Sequence, residues 1–225
     1  MSKPRIGITT SYNDGTQSVS HYYIRAIEKA GGLPVIVPML DTEENARAFA
    51  ALLDGLVMTG GPGITRGLVG KLPDDLAPVD AVRDKGDELI YKAMTERPML
   101  GICYGMQFIN AMHGGTIYGD LADHLPDAIG HSQPRGATPH AINLQPNTHL
   151  QNILQLDSVE VNTYHKQSLA SVGEGLTVSA LAPDGVIEGI ENADGRIMGV
   201  QFHPERMDET MHNLFAEFVA RCSNG

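Results

Sequence analysis

Two short segments one hundred positions apart hold side chains that together could carry out acyl transfer. In Gly101-Ile102-Cys103-Tyr104-Gly105 a cysteine stands between glycines, and in Gly199-Val200-Gln201-Phe202-His203-Pro204-Glu205 a histidine precedes a carboxylate by two residues. The thiolate is the nucleophilic form of cysteine, and a helix N-terminus favours it through its dipole and unpaired N–H groups. A base that takes the thiol proton and returns it to a leaving amine should titrate near neutrality, which selects histidine. A carboxylate beside it fixes the tautomer. Each segment also has a plainer explanation. The first alone is as consistent with a small cysteine buried at a strand end, and an isolated H-x-E is most often a strand-capping histidine beside a solvated acid.

Acyl transfer also needs donors for a developing oxyanion, usually backbone N–H groups. The residue after the nucleophile, Tyr104, offers one, and Gly61 in the Gly60-Gly61-Pro62-Gly63 turn offers a second. A zinc reading of Cys103, His203 and Glu205 is weaker, because no second cysteine pair and no H-E-x-x-H accompany them. No metal or organic cofactor is expected. The remaining histidines, His21, His113, His124, His131, His140, His149, His165 and His212, are expected mostly on the surface or in loops, and Cys222 as a small apolar residue or a surface thiol.

For that chemistry the residues must meet, and the pattern between them predicts an α/β fold. Arg5–Thr9, Leu33–Val37, Gly55–Thr59 and Pro98–Ile102 read as short strands. Amphipathic segments alternate with them at Val19–Ala30, from Asp41 to Leu53 with Glu44 completing a capping box, at Asp80–Glu96 with Val82, Leu89, Ile90, Ala93 and Met94 on one stripe, and at Gly105–Met112. Such alternation predicts a mostly parallel central sheet with helices on both faces, which places functional groups at the C-terminal ends of strands. His113–Gln145 is rich in Gly, Pro and His and predicts loops and short irregular strands. Strands resume at Ser158–Val161, Thr177–Leu181, Val186–Glu191 and Ile197–Phe202, where Asp194-Gly195 signals a hairpin and hence an antiparallel extension. A helix from Asp208 to about Arg221 closes the chain.

The composition fits one globular domain over residues 1–225, with 42% hydrophobic and 19% charged residues. A net charge of −11 excludes the basic footprint of a phosphate-backbone binder, so no nucleic-acid partner is expected. No segment is long and apolar enough for a bilayer, no secretory signal is evident, and two cysteines do not make a disulfide framework. Together these predict a cytoplasmic protein without a membrane partner.

Pro98-Met-Leu-Gly-Ile-Cys-Tyr-Gly-Met-Gln107, the Gly60–Gly63 turn and Gly199-Val-Gln-Phe-His-Pro-Glu205 together resemble the class I glutamine amidotransferases, in the same order and over nearly the whole chain. The resemblance implies a flavodoxin-like three-layer sandwich, a Cys103-His203-Glu205 triad, an oxyanion hole from Gly61 and Tyr104, and glutamyl recognition near Gly63 and Gln107. Val161-Asn-Thr-Tyr-His-Lys-Gln-Ser-Leu169, Ala182-Pro-Asp-Gly-Val-Ile-Glu-Gly-Ile-Glu191 and Arg83-Asp84 resemble the γ-glutamyl-γ-aminobutyrate hydrolase (peptidase C26-type) branch. That branch implies a free-standing hydrolase of a small γ-glutamyl compound, acting through a γ-glutamyl thioester. His165, Lys166 and Gln167 would then border the pocket, Gln167 would hold the α-carboxylate or amine, and His131 would line the entrance. Pro62-Gly63-Ile64 instead resembles the glutaminase domain of a synthase, and Lys166 stands where a second histidine is common. The alternatives are a glutaminase subunit that passes ammonia to a separate synthase chain and a non-catalytic binding protein on the same fold. A homodimer is an option the sequence leaves open.

Overall fold

The computed structural model describes residues 3–223, apart from the side chain of Asp208. The strands are β1 (Arg5–Ile8), β2 (Ser11–Asn13), β3 (Thr16–Ser18), β4 (Leu33–Ile36), β5 (Gly55–Met58), β6 (Leu68–Val69), β7 (Met99–Ile102), β8 (Thr116–Tyr118), β9 (His140–Leu144), β10 (Ser158–Val161), β11 (Ser168–Ser171), β12 (Leu176–Leu181), β13 (Ile187–Asn192) and β14 (Ile197–Val200). The α-helices are α1 (His21–Lys29), α2 (Glu43–Ala50), α3 (Ala81–Ala93), α4 (Tyr104–Met112), α5 (Leu121–His124), α6 (His149–Leu154) and α7 (His212–Cys222).

One sheet organises the molecule, in the order β10-β9-β12-β13-β14-β7-β5-β1-β4. From β14 through β7, β5 and β1 to β4 the pairings are parallel, and from β14 through β13, β12 and β9 to β10 they are antiparallel. The expected hairpin joins β13 to β14. The antiparallel part extends further than that hairpin, because β9 rises out of the segment expected to be irregular and joins the sheet between β12 and β10.

Two cores flank the sheet, which makes the protein three-layered. On one face Tyr23 and Ile27 of α1 and Leu214, Phe215, Phe218 and Val219 of α7 pack over Ile6, Ile8 and Val57. On the other, Ile90 and Tyr91 of α3 and Met106, Phe108 and Ile109 of α4 pack over Leu56, Met58 and Met99. Cys222 belongs to the first core, and burial pushes its thiol up to about 12, so it behaves as the small apolar residue.

Several expectations at helix ends need correction. Helix α2 is capped by Thr42, whose hydroxyl accepts the N–H of Asn45, and not by an Asp41–Glu44 box; Thr42 has the extended backbone that a cap needs. Helix α3 buries Ile90 and Met94 of the expected stripe, with Leu89 and Ala93 partly buried, but its inner face extends beyond that stripe. Val82 is exposed, while Arg83, Gly86, Asp87, Ile90 and Tyr91 are buried, because the buried stripe includes an ion pair that a hydrophobicity pattern cannot register. The C-terminal helix starts at His212, after a 3-10 turn over Asp208–Met211.

Register explains why distant segments meet. Val200 lies opposite Ile102, and Gly101 opposite Met58, so β14, β7 and β5 end side by side at their C-terminal edges. The residues that leave those ends are Gln201 to His203, Cys103, and Thr59 to Gly61.

Candidate active site

Cys103 follows β7 and directly precedes α4, with backbone angles φ 53 and ψ −107. A non-glycine residue is seldom found there, and such strain persists only where the surroundings impose it. The surroundings do so. The Cys103 N–H donates to Val200 O at 2.8 Å, which ties the bend to β14. A Cβ on Gly105 would stand 2.1 Å from Met58 O, and one on Gly101 would stand 2.7 Å from the Gly105 backbone. The two glycines therefore let strand, bend and helix pack at backbone contact distance. Tyr104 is the first residue of α4, where the helix supplies no carbonyl for its N–H.

His203 and Glu205 lie past the end of β14, where Pro204 and Glu205 start a 3-10 turn. His203 Nδ1 is 2.8 Å from Glu205 Oε1, and both side chains are buried. The imidazole also lies close enough to Cys103 for the sulfur to act on its basicity. Burial pulls the imidazolium down, but the contacts with Cys103 and Glu205 outweigh it and raise the pKa to about 10. A Cβ on Gly60 would fall 2.7 Å from the His203 ring, so the glycine turn is what lets the ring sit over it. Cys103, His203, Glu205, Gly61 and Tyr104 are thus brought together at one edge of the sheet.

Sequence reasoning misses several groups that hold this arrangement. The Asn162 side chain donates to His203 O at 2.8 Å and accepts the His203 N–H at 2.9 Å, pairing with the histidine backbone like an extra strand. Gln201 donates to Cys103 Sγ at 3.5 Å and accepts from Gln107 at 3.0 Å. Tyr23 accepts the Gly60 N–H at 3.0 Å, and burial together with the Glu205 charge raises its phenol well above the ordinary value. Arg83, fully buried, donates to Thr59 O at 3.3 Å and Gly60 O at 3.1 Å, pairs with Asp87 at 3.2 Å, and lies 4.4 Å from the Tyr104 ring centre. Burial pushes the Asp87 carboxyl up to about 6 against the pull of Arg83. Asn162 and Arg83 stand within motifs that carry the family resemblance, but nothing in their sequence neighbours marks them as struts.

A cavity of about 190 Å³ opens beside Cys103, lined by Gly61, Gln107, Tyr164, His165, Lys166 and Gln167 among others. Four of the residues expected to bind substrate are therefore on its wall. Their contacts differ from expectation. The Gln167 amide both accepts from Ile64 N at 2.8 Å and donates to Ile64 O at 3.1 Å, so it fastens a loop and is not held out for an α-carboxylate. Lys166 is paired with Asp75 at 2.8 Å. Gly63 is off the wall, because its N–H and C=O bond to Ala77 and Val79. His131 does not line this cavity's entrance either; it is buried with His165 and, more shallowly, His140 around Glu188, although the other histidines expected on the surface or in loops are not buried.

The peptidase C26 family profile matches residues 4–205. The chain belongs to the peptidase C26 family. As a C26 protein it is a member of the glutamine amidotransferase-like superfamily in its hydrolase branch. It is 34% identical over 230 residues to a candidate glutamine amidotransferase, PB2B2.05, of Schizosaccharomyces pombe, covering 98% of this chain and 87% of that one. It is 28% identical to the γ-glutamyl-γ-aminobutyrate hydrolase PuuD of Escherichia coli, covering 100% and 95%. Among solved structures, a candidate GMP synthase component from Thermoplasma acidophilum superposes with a TM-score of 0.70 at 19% identity, covering 100% of this chain and 96% of that one, which shows the shared fold. Among the described residues no helix is long and apolar enough to cross a membrane.

Proposed function

We propose that this C26 protein hydrolyses the γ-glutamyl amide bond of a small γ-glutamyl compound through a thioester on Cys103. The observation that carries the reading is the strained Cys103 bend, which opens on the cavity, beside a His203 whose Nδ1 is 2.8 Å from buried Glu205. The Cys103 sulfur attacks the γ-carbonyl, and the oxyanion is met by the N–H groups of Gly61 and Tyr104. As the C–N bond breaks, His203 gives its proton to the departing amine. Water then gives a proton to His203 and adds to the thioester, and the C–S bond breaks to release glutamate and the thiol. Glu205 holds the ring in the tautomer both steps need.

The cavity supports a glutamyl group. At about 190 Å³ it is small, and polar side chains of Gln107, His165, Lys166 and Gln167 stand on its wall. The similarity to PuuD supports a γ-glutamyl amine such as γ-glutamyl-γ-aminobutyrate as the substrate. The test is a panel of γ-glutamyl amides, glutamine included, scored for glutamate, ammonia and free amine. The expected result is unaided cleavage of a γ-glutamyl alkylamine with glutamate and amine in equal amounts. Cleavage of glutamine alone would overturn the substrate assignment.

A further inference from the structure

Glu188 on β13 is wholly buried, and three imidazoles converge on its carboxylate. His131 Nδ1 and His165 Nε2 each lie 3.2 Å from Glu188 Oε1, and His140 Nε2 lies 3.4 Å from it. The outer hydrogen bonds of two rings fix their tautomers. His165 Nδ1 lies 2.9 Å from Gln167 O, which can only accept, so the proton of the neutral ring is on Nδ1. His131 Nε2 lies 2.9 Å from Asp184, a carboxylate that also accepts from the backbone N–H groups of Ile129 and Val186, so its proton is on Nε2. Both neutral rings therefore aim lone pairs at one carboxylate oxygen, and something positive must stand among them.

Extra protons on the two rings are one solution, but they leave other groups stranded. Glu188 Oε2 and both ring nitrogens of His140 have no hydrogen-bond partner among the described residues, and unpaired buried polar atoms are costly. A single cation uses them. One ligand atom each from His131, His140 and Glu188 falls within 4.8 Å of the others. A tetrahedral centre with metal–ligand bonds of about 2.1 Å has ligand atoms about 3.4 Å apart, and the three ring nitrogens already stand 3.2, 3.2 and 3.4 Å from Glu188 Oε1. The outer N–H groups of His131 and His165 already bond to a carboxylate and a carbonyl, the support that metal-bound imidazoles receive.

We propose that His131, His140, His165 and Glu188 form a binding site for one zinc-like divalent cation, which adjoins the Cys103 cavity through His165 but shares none of Cys103, His203 and Glu205. Imidazole-rich ligation favours zinc over magnesium or calcium, which prefer oxygen. His140 also lines a surface cleft with Gly130 and Arg135, which gives the ion an entry path. The bound ion ties the 130–133 loop and the 162–167 segment, which carries Lys166 and Gln167, to the antiparallel half of the sheet. The proposal is independent of the hydrolase reading.

The test strips the full-length protein with a chelator and titrates it with Zn²⁺ alone, and with Mg²⁺ in parallel, by calorimetry and by metal analysis after desalting. The expected result is one retained Zn²⁺ per chain, no retained Mg²⁺, and a rise in thermal midpoint. His140→Ala, the shallowest ligand change, should weaken binding by about tenfold or more, while His113→Ala, remote from the cluster, should leave it unchanged. Should His140→Ala not fold, histidine-ring ¹⁵N NMR of the wild type decides: added Zn²⁺ must shift His131 and His165 from free to metal-bound nitrogens. Failure to retain Zn²⁺, equal binding by His140→Ala, or imidazolium signals that ignore Zn²⁺ would overturn the proposal.

Discussion

Replacing Asn162 tests whether the backbone of His203 must be clamped for the site to work. In the wild type one amide side chain makes two hydrogen bonds to His203, at 2.8 and 2.9 Å. A neutral hydrogen bond contributes about 1 kcal/mol net, so Asn162→Ala should lower stability by about 2 kcal/mol. If all of that ordering is lost from the pose of His203, turnover falls by up to about 30-fold, since each 1.4 kcal/mol is a factor of ten. Asn162→Asp keeps the acceptor for the His203 N–H but sets a carboxylate against His203 O. It should therefore lose at least as much turnover as Asn162→Ala despite its near-identical shape. Urea unfolding and steady-state rates on a γ-glutamyl amide measure the two effects. The reasoning fails if Asn162→Ala changes stability by less than about 0.5 kcal/mol and leaves the rate within twofold.

Glu205→Gln should fold and lower turnover by about 10²–10⁴-fold, measured as kcat, because the ring loses the anion that fixes its tautomer and stabilises its charged form. His203 is raised above its ordinary value to about 10. The stability it contributes is therefore complete below about pH 6.5 and is lost as pH rises through about 10; urea midpoints across that window should fall in the wild type and fall less in His203→Ala. Gly105→Ala places a Cβ 2.1 Å from Met58 O and should destabilise the fold by about 3 kcal/mol or more by thermal unfolding. Gly114→Ala, at φ +80 with open space around it, should cost about 1 kcal/mol.

Much of this site is legible in the sequence because its chemistry is local. The glycines flanking Cys103 and the proline between His203 and Glu205 mark the ends of β7 and β14, and parallel pairing of adjacent strands then brings the two segments together. The same logic locates Gly61 and Tyr104. What is not legible depends on long-range pairing. Gln167 has the look of a ligand-binding residue, yet its partner is the backbone of Ile64, 103 positions away. Gly63 sits in the right motif, but its peptide groups bridge to Ala77 and Val79. Arg83 and Asp87 on the inward face of α3 escape a hydrophobicity pattern because they are buried as a pair, and the histidines around Glu188 escape it because they arrive from three separate segments. Strand β9 is hidden by the weak periodicity of the segment before it.

The central claim is that the sulfur of Cys103 is the nucleophile and that His203 and Glu205 make it so. Intact-mass and peptide mapping after incubation with a γ-glutamyl chloroketone measures this directly. The account predicts one label per chain, on Cys103, formed in step with loss of activity and slowed strongly in His203→Ala. A label on Cys222 or a histidine that tracks the inactivation, or undiminished turnover by Cys103→Ala, would contradict it.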